Sequence, residues 1–332
     1  MAVNWLITGG CGFIGTNLIR RLGADRESAV RVLDNLSVGT LEDLHSATRA
    51  VDMVPQGAEA LEPPRAGRCQ FIRGDVTDEH LALTVAEGMD VIVHLAANTG
   101  VGPSVEDPRA DCLTNVLGTF NYLEAARRNK VTRFIFASSG APAGEVEPPI
   151  HEELPPHPVS PYGASKLAGE GYCSAYKRTY GIDTVALRFG NVYGPGSTHK
   201  SSVVAKFIKR ALDKEPLEIY GDGSQTRDFI YIDDLIEAIM RAAMTNAVGG
   251  EVFQIATHRE TTVGEMTDRL LAVLRGAGVR DVQVVNGETR LGDVKRNYSD
   301  TTKAREQLGW TARVNLDEGL LKTVSYFIEN RR

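Results

Sequence analysis

The chain lacks any cysteine pair at metal or redox spacing. Its four cysteines, Cys11, Cys69, Cys112 and Cys173, are scattered and form no C-x-x-C. They read as reduced thiols of a cytoplasmic protein, not as disulfides or a zinc site, and no metal is expected. No apolar run reaches the ~18 residues that a membrane span needs, so no membrane association is expected. The first strand pattern starts at Val3, which leaves no room for a secretory leader. Basic runs and aromatic-basic stripes are missing, and the formal net charge is −6. Together these exclude the electrostatic footprint of a nucleic-acid binder. Internal repeats and low-complexity tracts are missing too. What is present is ordinary globular material: 332 residues, 42% hydrophobic and 24% charged, enough for one large or two modest domains.

Short apolar runs alternate with helical patterns, the sign of a parallel sheet covered by helices. Strands are read at Asn4–Thr8, Ala29–Leu33, Gln70–Arg73, Val91–Leu95, Arg133–Ala137 and Asp183–Arg188. Most are nearly continuous Val, Ile, Leu and Phe, as expected when both faces of a sheet are buried. Helices are read at about Gly12–Leu22, Leu81–Glu87, Cys112–Asn129 and Tyr162–Tyr180. The stretch Glu42–Arg68 holds Pro55, Gly57, Pro63, Pro64 and Gly67 and reads as an irregular surface insertion. From about Phe189 the texture changes to Gly/Pro loops with short elements. The expected fold is α/β: a Rossmann-type doubly wound parallel sheet over residues 1–188, with a returning segment near 229–256. A smaller α/β C-terminal domain over 189–332 would bind substrate.

Gly9, Gly12 and Gly15 follow a strand pattern and open a helix pattern, with Phe13 and Ile14 between them. Glycines there allow a tight turn and close approach of backbone to a pyrophosphate, and a helix N-terminus favours its negative charge. Asp34 ends the second strand, 19 residues after Gly15, and is followed by Asn35. A carboxylate at that place accepts from both adenosine ribose hydroxyls and repels a 2′-phosphate, so NAD is favoured over NADP. Read without the glycines, Asp34-Asn35 is only a common turn pair.

Tyr162 and Lys166 stand four residues apart, on one face of a helix. A lysine ammonium beside the phenol, with the positive nicotinamide ring of an oxidised cofactor, favours the phenolate. The pair makes a proton acceptor next to a hydride acceptor, which oxidation of a secondary alcohol requires.

The glycine loop, Tyr162-x-x-x-Lys166, His94-Leu95-Ala96-Ala97, Leu187-Arg188-Phe189-Gly190-Asn191-Val192-Tyr193-Gly194-Pro195, Gly223-Ser224-Gln225-Thr226-Arg227-Asp228-Phe229 and Leu308-Gly309-Trp310 occur in order. Over nearly the whole length the chain resembles the extended short-chain dehydrogenase/reductase superfamily, and most of all its UDP-glucose 4-epimerase branch. The resemblance implies that Tyr162 is the catalytic base and that Lys166 binds the nicotinamide ribose and depresses the tyrosine pKa. Ser139 would hydrogen-bond the reacting hydroxyl, with Ser138 sharing that work or serving only as a polar strand end. Asp75 and Val76 would hold the adenine, and Leu95, Ala96 and Ala97 would line the cofactor. The implied reaction removes hydride from C4 of a sugar to NAD and returns it to the other face of a rotated 4-keto sugar.

For the nucleotide sugar, the resemblance implies Asn191 at the diphosphate, Arg227 and Arg290 on phosphate oxygens, Asp293 on a ribose hydroxyl, and Tyr220 and Val204 around the uracil. Asn297 would help decide whether a bulky 2-substituent is admitted, and its small polar side chain suits an N-acetylhexosamine. Lys200 would meet a uronate carboxylate or a phosphate, although a loop lysine is more often solvated.

Two positions depart from the family. Pro142-Ala143-Gly144 stand where Val-Tyr-Gly is usual, which changes the wall of the sugar pocket. Gly140 and Ala141 stand where dehydratases carry an acidic pair and decarboxylases a glutamate, and neither can move a proton. That favours an epimerase. The rivals are a dehydratase of the same superfamily, a 4-ketoreductase or net oxidoreductase that exchanges its cofactor, and a non-catalytic NAD sensor. A homodimer is implied, through the helices Cys112–Asn129 and Tyr162–Tyr180, although their apolar residues also suit ordinary core packing.

Overall fold

The computed structural model describes residues 3–24, 27–55, 61–288 and 294–331. The chain divides into two compact units. The first comprises residues 1–144, 155–188 and 238–253; the second comprises 145–154, 189–237 and 254–332.

The first unit is built on a sheet of eight strands. Seven are β1 (Asn4–Thr8), β2 (Ala29–Asp34), β3 (Val51–Met53), β4 (Cys69–Arg73), β5 (Val91–His94), β6 (Arg133–Ser139) and β7 (Asp183–Phe189). With the late strand Glu251–Ile255 the order is Glu251–Ile255, β7, β6, β5, β1, β2, β4, β3. Every neighbouring pair from β3 across to β6 is parallel. The order reverses between β1 and β5, and in such sheets ligands bind in the crevice at the carboxyl ends of the strands flanking that reversal. The strand patterns read from sequence end within two residues of the observed strands. Continuous apolar runs mark strands buried on both faces, and β2 is buried at all six positions.

The helices are α1 (Phe13–Gly23), α2 (Leu41–Ala47), α3 (Glu79–Ala86), α4 (Val101–Glu106), α5 (Pro108–Asp111), α6 (Gly118–Arg128) and α7 (Pro161–Tyr180). In α1, Phe13, Leu18, Ile19 and Leu22 turn one buried face to the sheet, and Arg20 and Arg21 suit its negative C-terminal end. Ser160 caps α7 by accepting from Gly163 N at 3.1 Å, Pro161 opens it, and Gly181 closes it in the left-handed conformation. Gly169 lets α7 lie close to β6, because a Cβ there would fall 2.3 Å from the Phe136 ring.

Two expectations need correction. The insertion Glu42–Arg68 is not wholly irregular. A capping box between Thr40 and Asp43 opens α2, and β3 adds to the sheet edge with Val51 opposite Cys69. Residues 56–60, which include Gly57, lie outside the described residues. The helix expected over Cys112–Asn129 is not uniform either. Cys112–Leu117 is π-helical and follows directly on α5, and only then does α6 begin.

In the second unit, Asn191–Tyr193 pairs in parallel with Phe229–Tyr231, and Leu217–Tyr220 pairs in parallel with Val284–Gly287. Helices Val203–Leu212, Val263–Gly276 and Leu316–Glu329 pack around these ribbons. Trp310 is buried and donates its Nε1–H to Asp234 O at 2.9 Å, so the Leu308-Gly309-Trp310 motif anchors the chain.

Candidate active site

Tyr162 sits in the first turn of α7, and Ser139 ends β6. The Ser139 hydroxyl lies close enough to that of Tyr162 to lower its pKa. Lys166 lies one turn further along α7, 3% exposed, with Nζ donating to Ala137 O at 2.9 Å. That Nζ stands 5.8 Å from the centre of the Tyr162 ring and 5.0 Å from that of Phe136. Burial pushes the Tyr162 hydroxyl up to about 12, against the hydrogen bond from Ser139 and with a further push from the charge of Asp111. Burial also lowers Lys166 to about 8, against the charges of Asp111 and Glu170. Of these effects on the Tyr162 hydroxyl, desolvation is the largest. Ser138 is 3% exposed, and its Oγ donates to Glu170 Oε1 at 2.6 Å. Glu170 in turn takes both arms of the Arg188 guanidinium, each at 2.8 Å.

At the other predicted site of chemistry, Gly9 has φ +71° and Gly12 forms the N-cap of α1 with no side chain capping it. A Cβ on Gly15 would lie 2.5 Å from Gly9 O and 2.7 Å from Gly10 O, so only glycine admits this turn. Phe13 and Ile14 form the first turn of α1. Asp34 is 7% exposed and its carboxylate is fixed by Cys11 N at 2.9 Å and Leu36 N at 2.8 Å. Burial raises its pKa, and those two backbone hydrogen bonds oppose the rise. Asn35 Nδ2 donates to Asp75 Oδ2 at 2.8 Å. Against the upward pull of burial, hydrogen bonds from Thr77 and Asn35 hold the Asp75 carboxyl below the usual range. Val76 is buried, and Leu95, Ala96 and Ala97 continue from the end of β5 with partial exposure.

The second unit contains a cavity of about 480 Å³. Asn191, Val204, Tyr220 and Arg227 all line it. Arg227 Nη1 is held by Val294 O at 2.8 Å. Asn297 lies outside the lining, with its backbone N–H on Thr226 Oγ1 at 3.2 Å. Lys200 is partly buried and also outside the lining; burial lowers its pKa. Arg290 and Asp293 lie outside the described residues.

The model of the NAD dependent epimerase/dehydratase family matches residues 5–256. The chain belongs to this family. A UDP-glucose 4-epimerase of Mycolicibacterium smegmatis is 38% identical over 327 residues, which covers 97% of each chain. A dTDP-glucose 4,6-dehydratase of Streptomyces niveus is 33% identical over 327 residues, covering 98% of this chain and 93% of that one. The crystal structure of the UDP-glucose 4-epimerase of Thermotoga maritima with UDP-glucose superposes with a TM-score of 0.86 at 35% identity, over 99% of this chain and 100% of that one. As a member of the epimerase/dehydratase family the protein is an NAD-dependent enzyme. Its glycine turn and the uncapped N-terminus of α1 fit a pyrophosphate, and the fixed carboxylate of Asp34 fits a ribose diol.

Four polar residues of this family member were not singled out from sequence as part of the site. Glu170 and Arg188 hold Ser138, and the i, i+4, i+8 row Tyr162, Lys166, Glu170 was a signal for the first of them. Asp111 and Asn115 meet the catalytic helix through Ser165, across a separation that no local pattern reports.

Proposed function

We propose that this protein interconverts the 4-epimers of a UDP-hexose through a transient 4-keto sugar. One observation carries the reading: Ser139, which faces the Tyr162 hydroxyl one turn before Lys166, is followed by Gly140 and Ala141 and so by no acid. A dehydratase needs an acid to move a second proton, and the residues after Ser139 offer none. Bound NAD supplies the acceptor and donor of hydride at C4. Ser139 holds the reacting oxygen, and Tyr162 takes the 4-hydroxyl proton and later gives it back. Lys166, as an ammonium, favours the phenolate against the burial that opposes it.

In the second unit, the cavity supports a nucleoside diphosphate: Arg227 suits phosphate oxygens, Asn191 the diphosphate, and Tyr220 with Val204 a pyrimidine face. Arg290 and Asp293 would complete this set. The first unit would thus be the NAD-binding domain and the second the nucleotide-sugar domain. A second copy would pair through Leu113, Leu117 and Tyr172, which are 41%, 40% and 40% exposed. The four cysteines are free thiols, three of them buried, which supports the reducing cytoplasm as the compartment.

The test is proton NMR of the anomeric region. Purified protein, with no NAD added, is incubated separately with UDP-glucose, UDP-N-acetylglucosamine and UDP-glucuronate. New galacto-configured signals from one of them support 4-epimerisation with retained cofactor and name the sugar. Silence in all three with NAD bound overturns the reading and turns attention to a net reductase, which would consume free NADH.

A further inference from the structure

Lys166 is enclosed, and the charged and titratable groups around it are few. Tyr162 and Glu170 lie on its own helix, one turn to either side. His94 at the end of β5 feels its charge, and Asp111 at the end of α5 completes the set among the described residues. The two carboxylates differ. Glu170 acts on Lys166 while paired with the bidentate Arg188. Asp111 is 1% exposed and accepts from the neutral Asn115 Nδ2 at 2.8 Å; Ser165, the residue next to Lys166, lies close enough to lower the Asp111 pKa, and its own hydroxyl donates to Tyr162 O at 3.0 Å. A carboxylate this deeply buried is costly unless a cation lies near it.

The same network reaches the cofactor wall. Asn115 accepts from Asn98 N at 2.8 Å and donates to Asn98 O at 2.9 Å, directly beyond Leu95-Ala96-Ala97. Its Nδ2 also lies 3.2 Å from Ser165 Oγ. The π-helical turn Cys112–Leu117 starts at the residue after Asp111, and such turns concentrate at functional sites because the wider coil redirects side chains.

We propose that Asp111 is a positioning residue that keeps Lys166 an ammonium and, through Ser165 and Asn115, holds the catalytic helix in register with the cofactor wall. This rests on the reading of Tyr162 and Lys166 as the proton-handling pair. The charge of Asp111 favours protonated Lys166 and protonated Tyr162 alike, so it stabilises the resting state of the pair.

The test reads NAD affinity by calorimetry from pH 6 to 10, with no sugar present. A lysine that holds the nicotinamide ribose gives affinity an alkaline fall as it loses its proton. Asp111→Asn preserves shape and removes charge, and is expected to move that fall down by about one pH unit. Ser165→Ala removes the hydrogen bond, keeps the charge, and is expected to leave the midpoint in place. If Asp111→Asn does not fold, Asp111→Ser is read in the same way. In Lys166→Met the fall should vanish, and adding Asp111→Asn to it should change nothing further. An unmoved midpoint in Asp111→Asn, an equal shift in Ser165→Ala, or a fall that persists in Lys166→Met overturns the proposal. Because the readout is NAD binding, failure of the sugar reaction is seen separately, as no turnover by the native protein.

Discussion

Ser138 Oγ stands 2.6 Å from Glu170 Oε1, which commits it to the buried Glu170–Arg188 pair, whereas its neighbour Ser139 faces Tyr162 and lowers its pKa. Two adjacent hydroxyls at one strand end therefore have different partners. Ser139→Ala should lower kcat by about 100-fold, the scale of losing one donor at a reacting oxygen. Ser138→Ala should lower stability by about 1 kcal/mol and kcat much less. Steady-state rates and urea unfolding of both variants check this; equal kcat losses would give Ser138 an equal share in catalysis.

The Glu170–Arg188 pair is buried on both sides, at 5% and 4% side-chain exposure. Removing one partner strands a buried charge, so Glu170→Ala should destabilise the first unit by about 3–5 kcal/mol. The double variant with Arg188→Met should lose less than the two single losses added together. Urea midpoints measure the coupling, and simple additivity would contradict it.

Gly15→Ala places a methyl against two carbonyl oxygens of the glycine turn. The turn has to open, and NAD affinity is expected to fall at least about tenfold. Titration of the cofactor-stripped protein with NAD checks this, and unchanged affinity would remove the turn from the cofactor site.

His94 is fully buried, with Nδ1 2.9 Å from Thr8 Oγ1, and desolvation, aided by the charge of Lys166, lowers its pKa from 6.5 to about 3. Between those values the unfolded chain holds a proton that the folded chain does not. The stability supplied by neutral His94 is complete above pH 6.5 and is lost as pH falls from there toward 3. His94→Gln should remove up to one proton from the slope of unfolding free energy against pH between 6.5 and 4, measured by urea titrations. An identical slope would refute the assignment.

The family resemblance assigns the choice at C2 to Asn297, which lies outside the cavity lining. Asn297→Tyr should lower kcat/KM for UDP-N-acetylglucosamine more than for UDP-glucose, because added volume meets the larger substituent first. Competition between the two sugars measures it, and unchanged selectivity would leave Asn297 without that role.

The strands, the order of motifs and the glycine turn were legible in the sequence because each rests on local chemistry. Continuous β-branched runs mark doubly buried strands, and glycine marks a turn where no Cβ fits. The Glu42–Arg68 stretch misled because its prolines and glycines mask one short helix and one three-residue edge strand. The π-helical turn before α6 left no mark, since the same residues suit an α-helix.

By itself the sequence determined the fold class and the cofactor, through strand periodicity and the glycine spacing, and set Tyr162 and Lys166 one helical turn apart; Ser139 was singled out by the family resemblance. Only the tertiary structure decided that Ser138 belongs to Glu170, that burial pushes the Tyr162 hydroxyl upward, and that Asp111 lies with Ser165 beside Lys166. Those outcomes depend on which side chains the packed core brings together and how far it excludes water. Both are properties of contacts between residues some 30 to 50 positions apart, as from Ser138 to Glu170 and from Asn115 to Ser165.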